Sequence, residues 1–313
     1  FSVDVANAFL NLAVSPFPDP AGEFGPLRYH FTLSNTGGLG AQNVVVTALL
    51  PPPAGIFVTC TVTGGGLCAE GPPGVVAWTT AGLGSQSEIK MDIEITATPT
   101  LGCSLFASAD YQNAVGTPQP TATAPPVCVR VVQPVIVPSI TAGKTVYAAG
   151  EPVGYTVSLT NSGTGVTNKL SFTVTLPPGV VAVPGSCGGP FGCSPSFDGF
   201  GRQVLTWSPS ELPPGGALAV TFQVLPAVTG SCSPFTLANE LDVRYDNPGG
   251  INSLRTITAV SVTVIESAVT LTLTPSGWVL PQGAALTYTI AYANTCSDTA
   301  RNVTVWDTIP AGT

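Results

Sequence analysis

Catalysis in this 313-residue chain would have to centre on His30, its single histidine. A Ser–His–acid triad would need it as the base, yet the sequence has no Gly-x-Ser-x-Gly nucleophile elbow. Asp92 and Glu94 are the closest carboxylates, and in a strand they would share one face, as an acid/base pair requires. Their alternation with Met91 and Ile93 favours a strand with one charged, solvated face instead. We therefore expect no enzyme activity and no cofactor.

Eight cysteines in a chain with one histidine favour disulfides in an oxidising compartment over a metal centre. No Cys-x-x-Cys pair is present. A loose calcium site built from Asp242, Asp246 and Asn247 is a further hypothesis, although a solvated turn explains the same residues. We expect no bound metal.

Two covalent modifications come into question. Lys144 with Asn239 or Glu240 would suit an isopeptide bond between a lysine and an amide or acid, although the first repeat described below lacks the lysine. Asn302 begins the single N-glycosylation sequon, inside a predicted strand. The Thr/Pro-rich segment 117–126 is the better candidate for O-linked sugar.

The composition excludes two classes of partner. Net charge is −8 and only nine residues are Lys or Arg, which leaves no basic footprint for nucleic acid or for an anionic membrane surface. No run of about 18 apolar residues predicts a membrane-spanning helix. Gly and Pro number 35 and 31, and charged residues are only 8% of the chain. Such punctuation is typical of β-structure and poorly compatible with helices.

One pattern occurs three times, at 27–37 (LRYHFTLSNTG), 153–163 (VGYTVSLTNSG) and 286–296 (LTYTIAYANTC). The shared tyrosines are Tyr29, Tyr155 and Tyr288, and the shared asparagines are Asn35, Asn161 and Asn294. The tyrosines lie 126 and 133 residues apart. We interpret the tyrosines as core residues and the asparagines as turn residues.

Alternation of apolar and polar residues with a period of two indicates half-buried strands, separated by turns. Trp78 and Trp207 occupy equivalent places and are predicted to fill the core. The predicted fold class is all-β, with tandem immunoglobulin-like β-sandwich domains and an incomplete last one. The predicted domains are repeat 1 (1–132), repeat 2 (133–265) and a partial repeat 3 (266–313) with strands A to C. For repeat 2 we predict strands near 134–147, 153–161, 168–176, 203–208, 217–225, 234–245 and 255–265.

Segment 144–180 resembles the "domain of unknown function 11" repeat of bacterial and archaeal surface proteins. The resemblance rests on Lys144, Gly150, the Tyr155-Thr156 pair, the turn 161–163 and the Leu-Pro-x-Gly turn at 176–179. WDTIPAG at 306–312 matches the same pattern, whereas repeat 1 diverges from it. The resemblance implies a large, secreted, multi-repeat surface protein and no catalytic residues. The sequence is expected to sample a longer array, or a third domain that another chain completes.

Sandwich topology predicts how the cysteines pair. Cys103 begins strand F and Cys128 lies near the end of strand G, so the two should be neighbours. Equivalent loops pair locally, and the remaining two cysteines face each other across a joint between repeats. The predicted pairs are Cys60–Cys68, Cys103–Cys128, Cys187–Cys193 and Cys232–Cys296.

Three functions fit these features. The leading hypothesis is an extracellular structural protein, the subunit or stalk of a surface fibre, sheath or layer, whose partners are copies of itself at sheet edges or domain poles. The second is an adhesin or carbohydrate-binding array that holds surface glycans with the loop aromatics Phe191, Phe197 and Phe200. The third is a set of spacer repeats in a larger secreted enzyme.

Overall fold

The structure, a computed structural model, describes residues 6–52, 56–99, 101–226, 232–250 and 254–308. Over these residues the secondary structure consists of β-strands, which confirms the predicted all-β class. No helix in the described ranges has the length and apolar character to cross a membrane. The strands form two sandwiches in tandem, followed by a two-stranded hairpin.

Repeat 1 is a sandwich of two antiparallel sheets. Its strands are β1 (Leu10–Phe17), β2 (Ala21–Gly22), β3 (Pro26–Asn35), β4 (Ala41–Leu49), β5 (Phe57–Thr63), β6 (Leu67–Glu70), β7 (Val75–Leu83), β8 (Glu88–Thr96), β9 (Gly102–Gln112), β10 (Ala122–Thr123), β11 (Val127–Val129) and β12 (Val131–Val132). One sheet has the order β1-β3-β8-β5, and the other has the order β10-β9-β4-β7-β6 with β11 also on β9. The short strands β2 and β12 pair in parallel.

Repeat 2 has the same plan. Its strands are β13 (Ile136–Ala142), β14 (Val146–Ala148), β15 (Val153–Asn161), β16 (Asn168–Thr175), β17 (Val181–Ala182), β18 (Ser194–Phe197), β19 (Gln203–Ser210), β20 (Ala217–Leu225), β21 (Phe235–Asp246) and β22 (Leu254–Ile265). The sheets are β13-β15-β20-β17 and β14-β22-β21-β16-β19-β18. The predicted first strand near 134–147 is divided between β13 and β14, and the other six predicted ranges correspond to β15, β16, β19, β20, β21 and β22.

Each sandwich has its own hydrophobic core. Trp78 and Trp207 are fully buried, as predicted, and Trp207 stacks on Phe172 with 5.2 Å between ring centroids. Tyr29 and Tyr155 are also core residues, and burial raises the pKa of each hydroxyl to about 12. The inward positions alternate with outward polar ones, because successive residues of a strand point to opposite faces.

Repeat 3 is represented by a hairpin of β23 (Val269–Pro275) and β24 (Tyr288–Asn294). The prediction of a third strand here is wrong for residues 301–308, which are not in a strand, and residues 309–313 lie outside the described ranges. The equivalent strands β4 and β16 each pair with a neighbour on both sides. Without such neighbours a strand cannot satisfy its backbone hydrogen bonds.

A buried asparagine organises one end of each sandwich. The Asn161 side-chain oxygen accepts hydrogen bonds from the N–H groups of Val135 (3.1 Å) and Gly163 (3.0 Å). Its amide donates to the carbonyls of Gly165 (2.8 Å) and Leu212 (2.9 Å). One side chain thereby joins the entry into β13, the turn after β15 and the loop before β20. Asn161 is therefore more than the turn residue that the sequence predicts.

Asn35 makes the equivalent bonds in repeat 1. It accepts from Phe9 and Gly37 and donates to Leu39, Leu83 and Gly84. In repeat 3, Asn294 is exposed and keeps only the two bonds of its own turn among the described residues, to Cys296 and Asp298.

We expect Asn161→Asp to lower the free energy of unfolding of repeat 2 by about 3–5 kcal/mol, because the change replaces two donors with a buried charge facing two carbonyls. Urea unfolding followed by tryptophan fluorescence measures this loss. Asn294→Asp is the matched control, and its effect should stay within about 1 kcal/mol because the residue is exposed. Equal small effects for both variants would contradict a structural role for Asn161.

Candidate functional site: braces, joints and exposed faces

Two local disulfides close the same side of the two sandwiches. Cys60 lies in β5 of one sheet and Cys68 in β6 of the other, with 6.1 Å between their Cα atoms. Cys187 and Cys193 are bonded with 5.9 Å between Cα atoms. Cys187 precedes a backbone bridge to β20, and Cys193 leads into β18 of the opposite sheet. Each bond therefore links the edges of both sheets, which the sequence prediction of a local loop pair did not include.

The other two cysteine pairs differ in purpose. Cys103 of β9 lies directly opposite Cys128 of β11, so their bond is a cross-strand staple at the end of repeat 1. Cys232, just before β21, is bonded to Cys296, just after β24. This bond crosses from repeat 2 to repeat 3. All four pairs in the structure are those expected from sandwich topology, and no cysteine in the described residues is free.

The joint between repeats 1 and 2 depends on close backbone contact. A Cβ atom on Gly22 would lie 2.3 Å from the backbone nitrogen of Gly249, and one on Gly249 would lie 2.8 Å from the Cα atom of Gly25. The Asn247 amide donates a hydrogen bond to the carbonyl of Glu23 beside this contact. Three glycines thus allow the turn after β21 to pack directly on the turn after β2. No sequence pattern indicated this joint.

His30 lies in a ladder of charged pairs on the outer face of the β1-β3-β8-β5 sheet. Its Nδ1 is 2.6 Å from Asp92 Oδ1, and Arg28 Nε is 2.7 Å from Glu94 Oε2. Ser15 is opposite His30 on β1, which places a Ser, His and Asp in one row across three strands. Ser15 is exposed, and the described hydrogen bonds include none between it and His30. Cross-strand charge pairs of this type stabilise a solvated sheet face.

The calcium hypothesis for Asp242, Asp246 and Asn247 is contradicted by the geometry. Asp242 Oδ2 is 3.1 Å from Arg244 Nη2 and 2.9 Å from Arg255 Nη2. Asp246 Oδ2 is 3.0 Å from Lys169 Nζ. Cations of the chain itself therefore occupy these carboxylates. The described residues contain no group of three His, Cys, Asp or Glu side chains arranged for a metal ion.

Lys144 has partners other than those of an isopeptide bond. Its ammonium pairs with Glu151 and lies 4.8 Å from the ring centroid of Tyr147. The hydrogen bond from Lys144 holds the pKa of the Glu151 carboxyl below its usual value. Asn239 is buried and Glu240 is exposed, and neither is a partner of Lys144 in the contacts of the described chain. The isopeptide hypothesis is therefore not supported.

The predicted ligand loop brings only two of its three aromatics to the surface. Phe197 and Phe200 are 66% and 85% exposed, whereas Phe191 packs against the core of repeat 2. Asp198 Oδ1 accepts from the N–H groups of Phe200 (2.9 Å) and Arg202 (2.8 Å), which fixes the turn between the two exposed rings. The Arg202 guanidinium lies 5.6 Å from the Phe200 ring centroid. The pair offers a flat aromatic surface beside one cation.

Asn302, the sequon residue, is exposed and lies outside any strand, contrary to the predicted third strand of repeat 3. In segment 117–126, Thr117, Thr121 and Thr123 are exposed. Thr121 donates a hydrogen bond to Asp110 (2.5 Å).

Asp242→Asn should lower stability at pH 7 by about 2 kcal/mol, because two arginines lose their shared carboxylate. Partial burial alone would raise the pKa of Asp242, but the hydrogen bonds from Arg255 and Arg244 lower it below the usual value. The contribution is therefore present above the unfolded pKa of about 3.9 and is lost as pH falls through the lower folded value.

Urea unfolding at pH 7 and pH 2 tests this dependence. The difference between Asp242→Asn and the parent chain should vanish at pH 2. Glu240→Gln, on the same strand and exposed, should change little at either pH. A deficit that persists unchanged at pH 2 would assign the effect to packing.

The sequence matches no protein-family model and no curated protein. Among solved structures, the chain is similar to the C-terminal domain of the Streptococcus pyogenes antigen I/II-family protein AspA. The identity is 9%, the TM-score 0.42, and the match covers 82% of this chain and 99% of that one. The collagen-binding subdomain of the Enterococcus faecalis surface protein ACE matches at 15% identity and a TM-score of 0.26, over 38% of this chain and 93% of that one. Red sea bream transglutaminase matches at 14% identity and a TM-score of 0.25, over 82% of this chain and 31% of that one.

Proposed function

We propose that this chain is a non-catalytic, extracellular structural protein, the subunit or stalk of a cell-surface fibre, sheath or surface layer. The observation that carries the proposal is the bracing of consecutive repeats. Repeat 2 is bonded covalently to repeat 3 through Cys232–Cys296, and repeat 1 contacts repeat 2 through glycine backbones with no side chains between them. Such joints restrict bending and transmit tension, which a load-bearing array requires.

The disulfides and the charge composition support the same proposal. Four disulfides are typical of proteins in oxidising, extracellular compartments. Only 8% of the residues are charged, and several carboxylates pair with the chain's few cations. Little charge is left to repel neighbouring copies, so lateral or end-to-end packing of chains meets a weak electrostatic barrier. The family resemblance of segment 144–180 remains part of this proposal.

Electron microscopy of the native material under non-reducing conditions tests the structural role. We expect filaments, tubes or a lattice. Dispersed single chains would contradict the polymer and favour an adhesin stalk or a spacer.

Replacing Cys232 and Cys296 together with Ser should loosen the second joint. The bond closes a loop of 64 residues, for which chain entropy gives about 4 kcal/mol. We expect a wider distribution of angles between repeats in class averages and a larger radius of gyration by small-angle scattering. The Cys60→Ser/Cys68→Ser variant is the matched control, since it removes a disulfide within one repeat and should leave the joint angles unchanged.

An adhesin function is favoured by one observation, the exposed pair Phe197 and Phe200 beside Arg202. Exposed aromatic rings suit the apolar faces of sugars. If the patch binds surface glycans, Phe197→Ala/Phe200→Ala should abolish glycan-array signals, whereas Phe17→Ala, at an equally exposed ring in repeat 1, should not. The structural proposal expects no glycan signal for the parent chain or for either variant.

A further inference from the structure

The hairpin of repeat 3 exposes the face that the other repeats bury. In repeat 2, Ile140, Tyr155 and Leu159 are core residues. Their equivalents Leu273, Tyr288 and Tyr292 are 50%, 45% and 67% exposed. The opposite face of the hairpin carries Thr and Ala side chains, including those of Thr270, Thr272, Thr289, Ala291 and Ala293. The apolar side is therefore an unpartnered sandwich face.

The first partner of this face in repeats 1 and 2 is strand G. In repeat 2 the end of strand G (β22) pairs in parallel with β14, with Val264 opposite Tyr147. In repeat 1, β12 pairs in parallel with β2 in the same way. Residues 279–281 stand where β14 stands, two residues before Gly283, which has the same left-handed φ as Gly150 (81° and 80°). The described residues of repeat 3 include no strand G beside them.

Three hydrogen bonds fix which residues of the linkers are equivalent. The backbone N–H groups of Thr36, Ser162 and Thr295 donate to the carbonyls of Phe9, Val135 and Ala268. Phe9, Val135 and Ala268 are therefore equivalent positions. Eight residues earlier in each case the sequence has Phe1, Val127 and Val260.

The segments that begin there have one pattern. Residues 1–5 read FSVDV, 127–131 read VCVRV and 260–264 read VSVTV. In the second and third of these segments, Val129 and Val262 are core residues and Cys128 and Ser261 point outward. Residues 1–5 thus carry the sequence of a strand G ahead of repeat 1, which has its own strand G in β10, β11 and β12.

We propose that residues 1–6 of a second copy of this chain form strand G on the open hairpin of repeat 3, so that copies join head to tail. By the register of β14 and β22, Val5 of one copy lies opposite Leu280 of the other, and residues 4–6 pair in parallel with 279–281. Phe1 and Val3 face the apolar side of the hairpin, whereas Ser2 and Asp4 face solvent. A cleft of about 300 Å³ lined by Leu273, Pro275, Trp278, Leu286 and Tyr288 adjoins the site and offers room for a large apolar side chain.

This inference rests on the proposed polymer and names its contact. The linker that follows residue 6 is the same linker that joins the repeats within one chain. Repeat 1 of the incoming copy would therefore follow repeat 3 much as repeat 2 follows repeat 1. A heterologous contact of this kind continues into an open filament.

Two variants of the full chain test the contact in combination. The acceptor consists of residues 7–313 and lacks the donor strand. The donor keeps residues 1–6 but carries Leu273→Lys and Ile290→Glu, an opposed pair whose charges suit each other and not an apolar strand. The control donor carries Thr272→Lys and Ala291→Glu, an opposed pair on the other face of the same hairpin.

Sedimentation equilibrium should show chains of increasing length for the parent and for the control donor. The acceptor and the donor should each stay monomeric, with self-association weaker by about 100-fold or more, since an unpaired charge in an apolar contact costs several kcal/mol. An equimolar mixture of acceptor and donor should form a dimer and nothing larger. Val3→Asp in the parent should reduce association as strongly as the deletion, and Ser2→Asp should not.

An acceptor that associates like the parent would overturn this inference and leave the polymer to a different contact. A parent chain that stays monomeric would overturn it as well. Microscopy of the native material then decides the proposed function separately, because filaments built through other surfaces would still be visible.

Discussion

The buried asparagine of each repeat is the interaction on which the rest of the architecture depends. Asn35 and Asn161 each join three segments that are distant in sequence: the linker entering the repeat, the turn after the second strand and the loop before the fifth. A carboxamide suits this position because it offers both acceptor and donor groups to backbone that has no strand partner. Since the linker is one of the three segments, the same side chain that completes a sandwich also sets where the preceding repeat is attached.

The third repeat shows how a covalent bond replaces part of that arrangement. A Cβ atom on Gly163 would lie 2.3 Å from the carbonyl oxygen of Gln133, so the close approach of linker and turn requires glycine there. Repeat 3 has Cys296 in the equivalent position, and the disulfide to Cys232 connects its turn to repeat 2. Asn294 retains only its local bonds. Attachment through backbone contact is thus replaced by attachment through sulfur, which tolerates the extra side chain.

Much of the fold could be predicted because its determinants are local. Strands with a period of two gave correct ranges for β15, β16 and β20, and sandwich topology placed the cysteines in the pairs that the structure contains. The errors arose where distant partners decide the outcome. Strand status at 301–308 depends on neighbouring strands, and the occupancy of Asp242 depends on Arg255, which comes from the next strand. The contact between Gly22 and Gly249 joins two turns more than 200 residues apart and has no sequence signature.

The repeat lengths add a constraint on how such a chain can extend. The shared tyrosines are 126 and 133 residues apart, and the carbonyls that accept the linker hydrogen bonds keep the same two spacings. Because the two spacings are conserved from each linker to the strand it feeds, the difference in repeat length must lie in the loops between. Loops vary at little cost to a sandwich, whereas a shift of one residue in a linker would turn its inward side chains outward. The register of the linker, rather than the length of the repeat, is therefore what any further sandwich in the array must preserve.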